Sequence, residues 1–246
     1  MDEQTKRNKI RNYFKPFPKW AIWMILIGVL ILLVGTQVGA GAVVFGLLLA
    51  GIGGFVIYSH GQGKATDLEM DQFLNEDLTA LGKHGQNKVG LEDQELVGKT
   101  VRVTGFARNL SGAEFDFKKG KDNILRFTPI QVTLIFFTQN QLVAYSCVFD
   151  SKTGKPLNES TEEYFYQDVV AVSTKTTSVA INLGKLGTVQ ATAAEEFTLT
   201  TSGGTSISVV LRDTNLVQKM GGGDLPTTQA EEAIQSVRRM LRDKKK

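Results

Sequence analysis

The residue types that most often perform acid–base or nucleophilic catalysis are scarce in this sequence. The 246 residues include one cysteine, Cys147, and two histidines, His60 and His84. His60 directly follows an apolar run and His84 lies in a glycine-rich stretch, so neither has a partner at a spacing typical of a catalytic pair. Cys147 lies in an alternating apolar segment, where a free cysteine is usually a small buried hydrophobe. We therefore predict no catalytic residue, no cofactor and no enzyme activity.

The same counts limit metal and disulfide chemistry. One cysteine cannot form an intramolecular disulfide, and the Cys and His side chains together are too few for a four-ligand zinc site. We therefore expect no metal site and a reducing compartment. Residues 59–246 carry 22 Lys or Arg and 23 Asp or Glu, a net charge of −1. This is not the basic balance of a nucleic-acid-binding domain, so we expect no nucleic-acid partner.

One basic cluster stands out within this nearly neutral segment. It consists of Lys118, Lys119, Lys121 and Arg126. We place these residues in and just after a loop that leads to an early strand. Lysines near an anionic leaflet each gain about 1 kcal/mol, so the cluster could bind an anionic lipid headgroup. Because Asp116 and Asp122 flank the cluster, the alternative is a solvated hairpin tip.

Residues 21–58 form a run of 38 residues without Asp, Glu, Lys, Arg or His. One helix of that length would be about 57 Å long, whereas the hydrocarbon core of a membrane is about 30 Å thick. The only polar, glycine-dense stretch of the run is 35–41. We therefore predict two membrane-spanning helices, near 18–34 and 39–58, joined by a tight turn. A cleaved signal peptide is the competing interpretation, but its apolar region has only about 7–15 residues.

Basic residues indicate how such a hairpin is oriented. The first 20 residues contain six Lys or Arg and two acidic residues, a net charge of +4. Short basic flanks stay cytoplasmic. We expect a two-span protein of the plasma (inner) membrane with both termini cytoplasmic and with membrane lipids as partners. A single tilted span would instead place the C-terminal part outside.

The second predicted helix carries a stripe of small residues at every fourth position. The stripe consists of Ala42, Gly46, Ala50 and Gly54. Such stripes let two helix backbones approach closely in lipid. The partner could be the first helix of the same chain, with Gly28 facing the stripe, or a helix of another protomer. The glycine-rich hairpin as a whole leads us to expect a homo-oligomer.

The sequence pattern after the hairpin predicts a helix followed by a series of strands. Thr66-Asp67-Leu68-Glu69 has the spacing of a capping box, and apolar residues at helical spacing predict a helix over 67–81 that ends at Gly82. A short helical turn is expected within 91–97. From residue 99 the pattern has period two and turn residues at short intervals. The predicted strands are 100–107, 124–128, 131–138, 141–149, 163–174, 179–183 with 188–192 as a continuation, 197–201 and 206–212.

A second capping box, Thr228-Gln229-Ala230-Glu231, precedes an amphipathic helix that we predict over 228–242. The predicted fold class is α+β, with a transmembrane helical hairpin followed by a mostly antiparallel β domain that a C-terminal helix caps. The predicted organisation is a basic cytoplasmic N-terminus (1–17), the hairpin (18–58), a linker with an amphipathic helix (59–98) and the β domain with its helix (99–246).

Seven or so short antiparallel strands closed by one helix resemble the pleckstrin-homology-like (PH-like) architecture over about 99–243. The chain also resembles a family of uncharacterised bacterial membrane proteins in which such a domain follows an N-terminal hairpin. The similar stretches are 163–170 (EYFYQDVV) and 197–204 (FTLTTSGG). The resemblance implies a bent, barrel-like sheet whose open corner is filled by the helix. It implies no activity. A basic loop after the first strand holds lipid phosphates in phosphoinositide-binding PH domains, a role that the cluster at 118–126 would match.

These observations together predict a non-enzymatic, membrane-anchored scaffold. Its cytoplasmic PH-like domain would bind protein, either copies of itself or another partner. The alternative function is binding or sensing of anionic lipid headgroups through the basic loop. The two hypotheses differ in the role they give to Lys118, Lys119 and Lys121.

Overall fold

The computed structural model describes residues 1–184, 187–226 and 230–244, and it divides into two units, Met1–Thr66 and Asp67–Lys246. Thr228 and Gln229, half of the second predicted capping box, lie outside the described residues. The first unit contains three helices: α1 (Glu3–Phe14), α2 (Lys19–Val38) and α3 (Ala40–Gly61).

Helices α2 and α3 are both long enough and apolar enough to cross a membrane. They pack against each other and are separated by Gly39 alone, whose φ of +138° is readily adopted only by glycine. The predicted helical pair is therefore present. The turn is tighter than the predicted 35–41, because α2 continues through Thr36, whose hydroxyl donates to the carbonyl of Leu33 inside the helix.

The two flanks of this hairpin meet within the first unit. The side-chain amide of Asn12 donates to the carbonyl oxygen of Gly63 at 3.1 Å, and the N–H of Ala65 donates to the carbonyl oxygen of Lys9 at 3.3 Å. Asn12 and Lys9 belong to α1, which precedes the hairpin, whereas Gly63 and Ala65 follow it. The chain thus returns to the end of the hairpin from which it started.

The second unit contains three helices and nine strands among its described residues. They are α4 (Asp67–Lys88), β1 (Val101–Phe106), β2 (Asp116–Lys119), β3 (Leu125–Thr128), β4 (Ile130–Phe137), β5 (Gln141–Asp150), β6 (Lys155–Phe165), β7 (Val169–Asn182), β8 (Thr188–Thr201), β9 (Ser206–Asp213), α5 (Thr214–Lys219) and α6 (Ala230–Lys244). Seven strands form one antiparallel sheet in the order β6-β5-β4-β1-β9-β8-β7, curled into a half-barrel. Strands β2 and β3 form a separate hairpin. The chain is therefore α+β, as the sequence predicts.

Apolar residues cover both faces of the middle of the sheet. On one face, Val101 and Val103 belong to a cluster that also buries Ile234 and Val237 of α6. On the other face, Leu134 belongs to a cluster under α4. Strand β4 contributes alternate residues to the two clusters and is buried along nearly its whole length, because successive strand residues point to opposite faces.

Helix α4 extends beyond the predicted end at Gly82. Gly85 lies against the sheet so closely that a Cβ there would be 2.9 Å from side-chain atoms of Leu134 and Tyr145. Packing against the sheet therefore outweighs the helix cost of about 1 kcal/mol for each glycine. The expected turn within 91–97 is present as a short 3-10 helix, Asp93–Glu95.

Several strand predictions need correction. The segment 163–174 is two strands, because the 3-10 turn Tyr166–Asp168 separates β6 from β7. Tyr166 is buried in this turn and its hydroxyl donates to the carbonyl oxygen of Thr138 at 2.8 Å. Strand β2 was not predicted, because it has only four residues, two of them lysines, and so shows too little alternation of apolar and polar residues. The predicted strand 179–183 is the end of β7, and 188–192 pairs antiparallel with it and does not continue it; residues 188–201, including the predicted strand 197–201, form one continuous strand.

The two halves of the sheet meet at Gly105. Strand β1 pairs along its length with β4, but it pairs with β9 only at Phe106 and Val210. A Cβ on Gly105 would lie 2.0 Å from the carbonyl oxygen of Val210. Only glycine therefore lets β9 approach β1 at this point.

The structure predicts that Gly105→Ala destabilises the second unit by more than about 3 kcal/mol, because the conflict is with backbone and cannot be relieved by a side-chain rotation. Urea unfolding of the full chain in detergent, followed by circular dichroism of the sheet, measures the change. Gly82→Ala is the control: a Cβ there meets no neighbouring atom, so it should stabilise the chain by about 0.5–1 kcal/mol. Equal midpoints for wild type and Gly105→Ala would contradict the prediction.

Candidate functional site

The basic cluster lies on the β2–β3 hairpin. Lys118 and Lys119 belong to β2, Lys121 lies in the turn, and Arg126 belongs to β3 opposite Lys118. The structure thus brings all four residues close together. It places Lys118 and Lys119 on strand β2, whereas the sequence suggested a loop for these two residues.

Arg126 is almost completely buried and is held by carboxylates. Its Nε and Nη2 atoms donate to the two oxygens of Asp71, both at 2.7 Å. Its Nη1 and Nη2 atoms donate to Asp122 at 3.0 and 2.6 Å. A carboxylate oxygen of Asp67 lies 4.0 Å from Nη1. Since a buried charge needs this pairing to offset its lost hydration, the guanidinium is committed to the protein.

The lysines of the cluster also contact the protein. Lys119 Nζ donates to the carbonyl oxygen of Gly221 at 3.1 Å, and the backbone N–H of Lys121 donates to Asp67 at 2.8 Å. Burial lowers the pKa of Lys118. Three aspartates, Asp67, Asp71 and Asp122, lie among these four basic residues, and each of them is within 4.0 Å of Arg126. The arrangement joins the hairpin to α4, a contact that no short-range sequence pattern revealed.

Most of the small-residue stripe faces the chain's own first span. A Cβ on Gly46 would lie 2.8 Å from the carbonyl oxygen of Gly28, and one on Gly28 would lie 2.7 Å from the backbone nitrogen of Ala50. Ala42 lies against Gly35 in the same way. A Cβ on Gly54 would meet no atom within 4 Å. Of the two interpretations left open by the sequence, packing within the hairpin therefore accounts for Ala42, Gly46 and Ala50.

His84 takes part in a polar network that the sequence did not reveal. Its Nε2 atom lies 2.6 Å from Oε2 of Glu159, and the hydroxyl of Tyr145 donates to the same oxygen at 2.8 Å. Lys88 Nζ lies 3.6 Å from the other oxygen. The hydrogen bond from His84 lowers the pKa of Glu159, whereas burial raises that of Tyr145. The residues are separated by up to 75 positions, so only their common face of α4 and the sheet brings them together.

This network joins a carboxylate to an imidazole, but the neighbouring thiol is unsuited to nucleophilic attack. Cys147 is buried, and burial raises its pKa to about 12, so it stays protonated at neutral pH. His60 lies in the first unit, where its ring contacts Phe17 edge to face at a centroid distance of 5.6 Å. Within the described ranges, no three His, Cys, Asp or Glu side chains are grouped to hold a metal ion.

Strand β7 forms one edge of the seven-stranded sheet in the second unit. It is 14 residues long and is the last strand of the sheet, so it bonds to a neighbouring strand on one side only. Lys175 is its only charged residue. The carbonyl of Val172 accepts a hydrogen bond from Arg238 of α6 at 3.1 Å. The opposite edge strand, β6, differs because it carries one lysine and three glutamates.

Comparisons of this chain with protein-family models, with curated proteins and with solved structures found no match.

The Arg126 cluster predicts a specific loss of stability in acid. The hydrogen bonds from Arg126 hold the pKa of Asp122 at about 2, below about 3.9 in an unfolded chain. The folded state thus binds fewer protons in this range, so the stabilisation is complete above about pH 4 and is lost as the pH falls towards 2.

We expect Asp122→Asn to be less stable than wild type at pH 7 and to lose less stability between about pH 4 and 2. Urea midpoints of the full chain in detergent at each pH measure both effects. Asp243→Asn, a change of an exposed residue near the end of α6, should retain the wild-type pH dependence. A wild-type pH profile in Asp122→Asn would show that the pair contributes nothing.

Proposed function

We propose that this protein is a non-enzymatic, membrane-anchored scaffold whose cytoplasmic PH-like domain binds protein and assembles with copies of itself. The helical pair is the anchor and the second unit is the interaction domain. The observation that carries the proposal is the position of β7 at one edge of the sheet, where it pairs with a strand on one side only among the described residues, combined with an apolar hairpin that would confine the domain to a membrane surface.

Three features of the first unit support the anchor and its orientation. Both helices have the length and the apolar composition of membrane spans. The contact of Asn12 with Gly63 brings the two flanks together, as a two-span hairpin requires. The basic N-terminus places these flanks on the cytoplasmic side of the plasma (inner) membrane under the positive-inside rule. Membrane lipids are then the immediate surroundings of α2 and α3.

The PH-like assignment is supported by the order and shape of the elements. A bent antiparallel sheet of seven strands is followed by helix α6, whose buried Ile234 and Val237 pack against one face of the sheet. This is the arrangement on which the resemblance rests. The β2–β3 hairpin is an addition to that arrangement, inserted between β1 and β4.

The edge strand β7 supports protein binding by strand addition. An edge strand presents backbone donors and acceptors to a partner, and proteins usually protect such edges with charges or by keeping them short. β7 is long and carries a single charge, whereas the charged residues of β6 protect the other edge. Confinement in a membrane raises the effective concentration of neighbouring copies, so a weak edge contact is sufficient for assembly.

Lipid headgroup binding by the basic cluster is less well supported. A phosphate would have to displace Asp71 or Asp122 from Arg126, and it would approach three nearby carboxylates. Nucleophilic catalysis by Cys147 is disfavoured, because this residue is buried and burial raises the pKa of its thiol to about 12.

The membrane orientation is tested by cysteine labelling in intact cells. A membrane-impermeant maleimide should label Gln37→Cys, at the end of α2, from outside. It should label Lys83→Cys only after the cells are permeabilised, because α4 follows the hairpin on the cytoplasmic side. The native Cys147 is buried and gives a low background. Labelling of Lys83→Cys in intact cells, with Gln37→Cys unreactive, would contradict the two-span orientation.

Self-assembly is tested on β7. Thr174→Glu with Thr176→Glu places two negative charges on each edge, so antiparallel pairing of two β7 strands would bring like charges together. We expect the wild type to form oligomers after extraction in mild detergent, and the double variant to raise the dissociation constant about tenfold or more, measured by mass photometry.

The control is Ser160→Glu with Thr161→Glu, which adds the same charge to exposed positions of β6 and should leave assembly unchanged. A wild type that is monomeric at every concentration would refute self-assembly. An oligomer that both double variants leave intact would exclude the β7 edge as the contact.

A further inference from the structure

A cavity of about 230 Å³ lies between α4 and the sheet in the second unit. Its walls are mostly apolar, with Leu74 and Leu78 from α4 and Ile130 and Leu211 from the sheet. For comparison, an apolar cavity of about 150 Å³ holds benzene, so this one has room for on the order of nine or ten heavy atoms. It is separate from the β7 edge.

One arginine in the wall of this cavity has no protein partner. Arg102 is half-buried, and it forms neither a hydrogen bond nor an ion pair with the residues that the structure describes. Burial lowers its pKa, but a guanidinium stays charged at any physiological pH. Its neighbours Val101 and Val103 point to the opposite face of the sheet, so Arg102 lies opposite Leu134 on the face that α4 covers.

The other arginine in the wall differs from Arg102, because carboxylates neutralise its charge. Arg126 is hydrogen-bonded to both Asp71 and Asp122. The Asp71 carboxylate also lines the cavity, but both of its oxygens already accept hydrogen bonds from Arg126. No carboxylate of the described residues therefore pairs with Arg102. A partly desolvated charge without a partner reduces stability, so its presence needs a reason.

Two further polar side chains line the cavity without protein partners among the residues described. They are Thr104, which follows Arg102 on the same face of β1, and the side-chain amide of Asn75 on α4. Together with Arg102 they offer hydrogen-bond donors to a single cavity whose remaining walls are apolar. This is the usual composition of a small-molecule site, in which few polar groups orient a mainly apolar ligand.

We propose that this cavity binds a single-chain carboxylate of about seven or eight carbons, with the carboxylate on Arg102 and the alkyl chain along Leu74, Leu78 and Ile130. The charged groups in the wall, two arginines and one aspartate, sum to +1, which matches a monoanion. Arg forms paired hydrogen bonds with a carboxylate, and Thr104 and Asn75 can donate to the same oxygens. The aspartate in the wall disfavours a dianion such as an alkyl phosphate.

The binding experiment uses the full chain in detergent-free nanodiscs of phosphatidylcholine, because a detergent would compete for the cavity. Octanoate labelled with ¹³C at the carboxyl carbon is titrated and followed by NMR, with empty nanodiscs as the blank. We expect saturable binding above the blank. Octanol, which has the tail without the charge, and acetate, which has the charge without the tail, should each bind at least about tenfold more weakly.

Arg102→Met is the decisive variant, since it keeps the length of the side chain and removes the charge. It should weaken octanoate binding about tenfold or more, while Arg102→Lys should weaken it less. Lys155→Met is the matched control, because it removes one positive charge from an exposed position on β6, and its affinity should stay within about twofold of wild type.

Stability provides a second and independent measurement. If Arg102 serves to bind a ligand at a cost in stability, Arg102→Met should raise the urea midpoint of the ligand-free chain. Octanoate should raise the urea midpoint of the wild type but not that of the variant. Absence of saturable binding, equal binding by octanol, tighter binding by octyl phosphate, or a lower midpoint in Arg102→Met would each overturn the proposal.

Discussion

The close approach of β9 to β1 at Gly105 is the contact on which the second unit depends. Strands β6, β5, β4 and β1 pair along most of their lengths, and so do β9, β8 and β7, but among the described residues the two groups share only the pair Phe106 and Val210. A side chain at residue 105 would meet the backbone of Val210 and separate them. Joining the groups at one point lets the sheet bend into a half-barrel and leaves β6 and β7 as its two edges.

Helix α4 depends on the sheet in a comparable way. Gly85 allows it to lie close to Leu134 and Tyr145, and polar contacts then fix it at both ends of this apolar layer. Near its start, Asp67 and Asp71 surround Arg126, and near its end His84 and Lys88 meet Glu159. Between these contacts lies the cavity with the unpaired Arg102. The face of the sheet that α4 covers thus has ion pairs and a cavity, whereas the contacts of the face covered by α6 are mainly apolar.

The sequence was a good guide to most strands and a poor guide to the roles of charged residues. Alternating apolar residues placed β4, β5 and β9 to within one or two residues of their observed bounds. The turn that separates β6 from β7 was missed, because Tyr166 continues the aromatic pattern and its inward hydrogen bond to Thr138 is a tertiary contact. Arg126 looked like part of an exposed cluster, since its partner Asp71 is 55 residues away. Arg102 was not predicted as a site residue, because an isolated arginine in a strand has no local pattern that distinguishes it.

The amino-acid sequence by itself determined the features that arise within a few residues of the chain. These are the apolar hairpin with a break within 35–41, the start of helix α4 and most strands, because hydrophobic periodicity and glycine conformation are local properties. Only the tertiary structure decided which strands pair with each other, which helix packs against Gly46 and which arginine is paired with a carboxylate. These outcomes depend on pairing and burial between residues far apart in the chain. The fold alone determines that a carboxylate neutralises one guanidinium and not another.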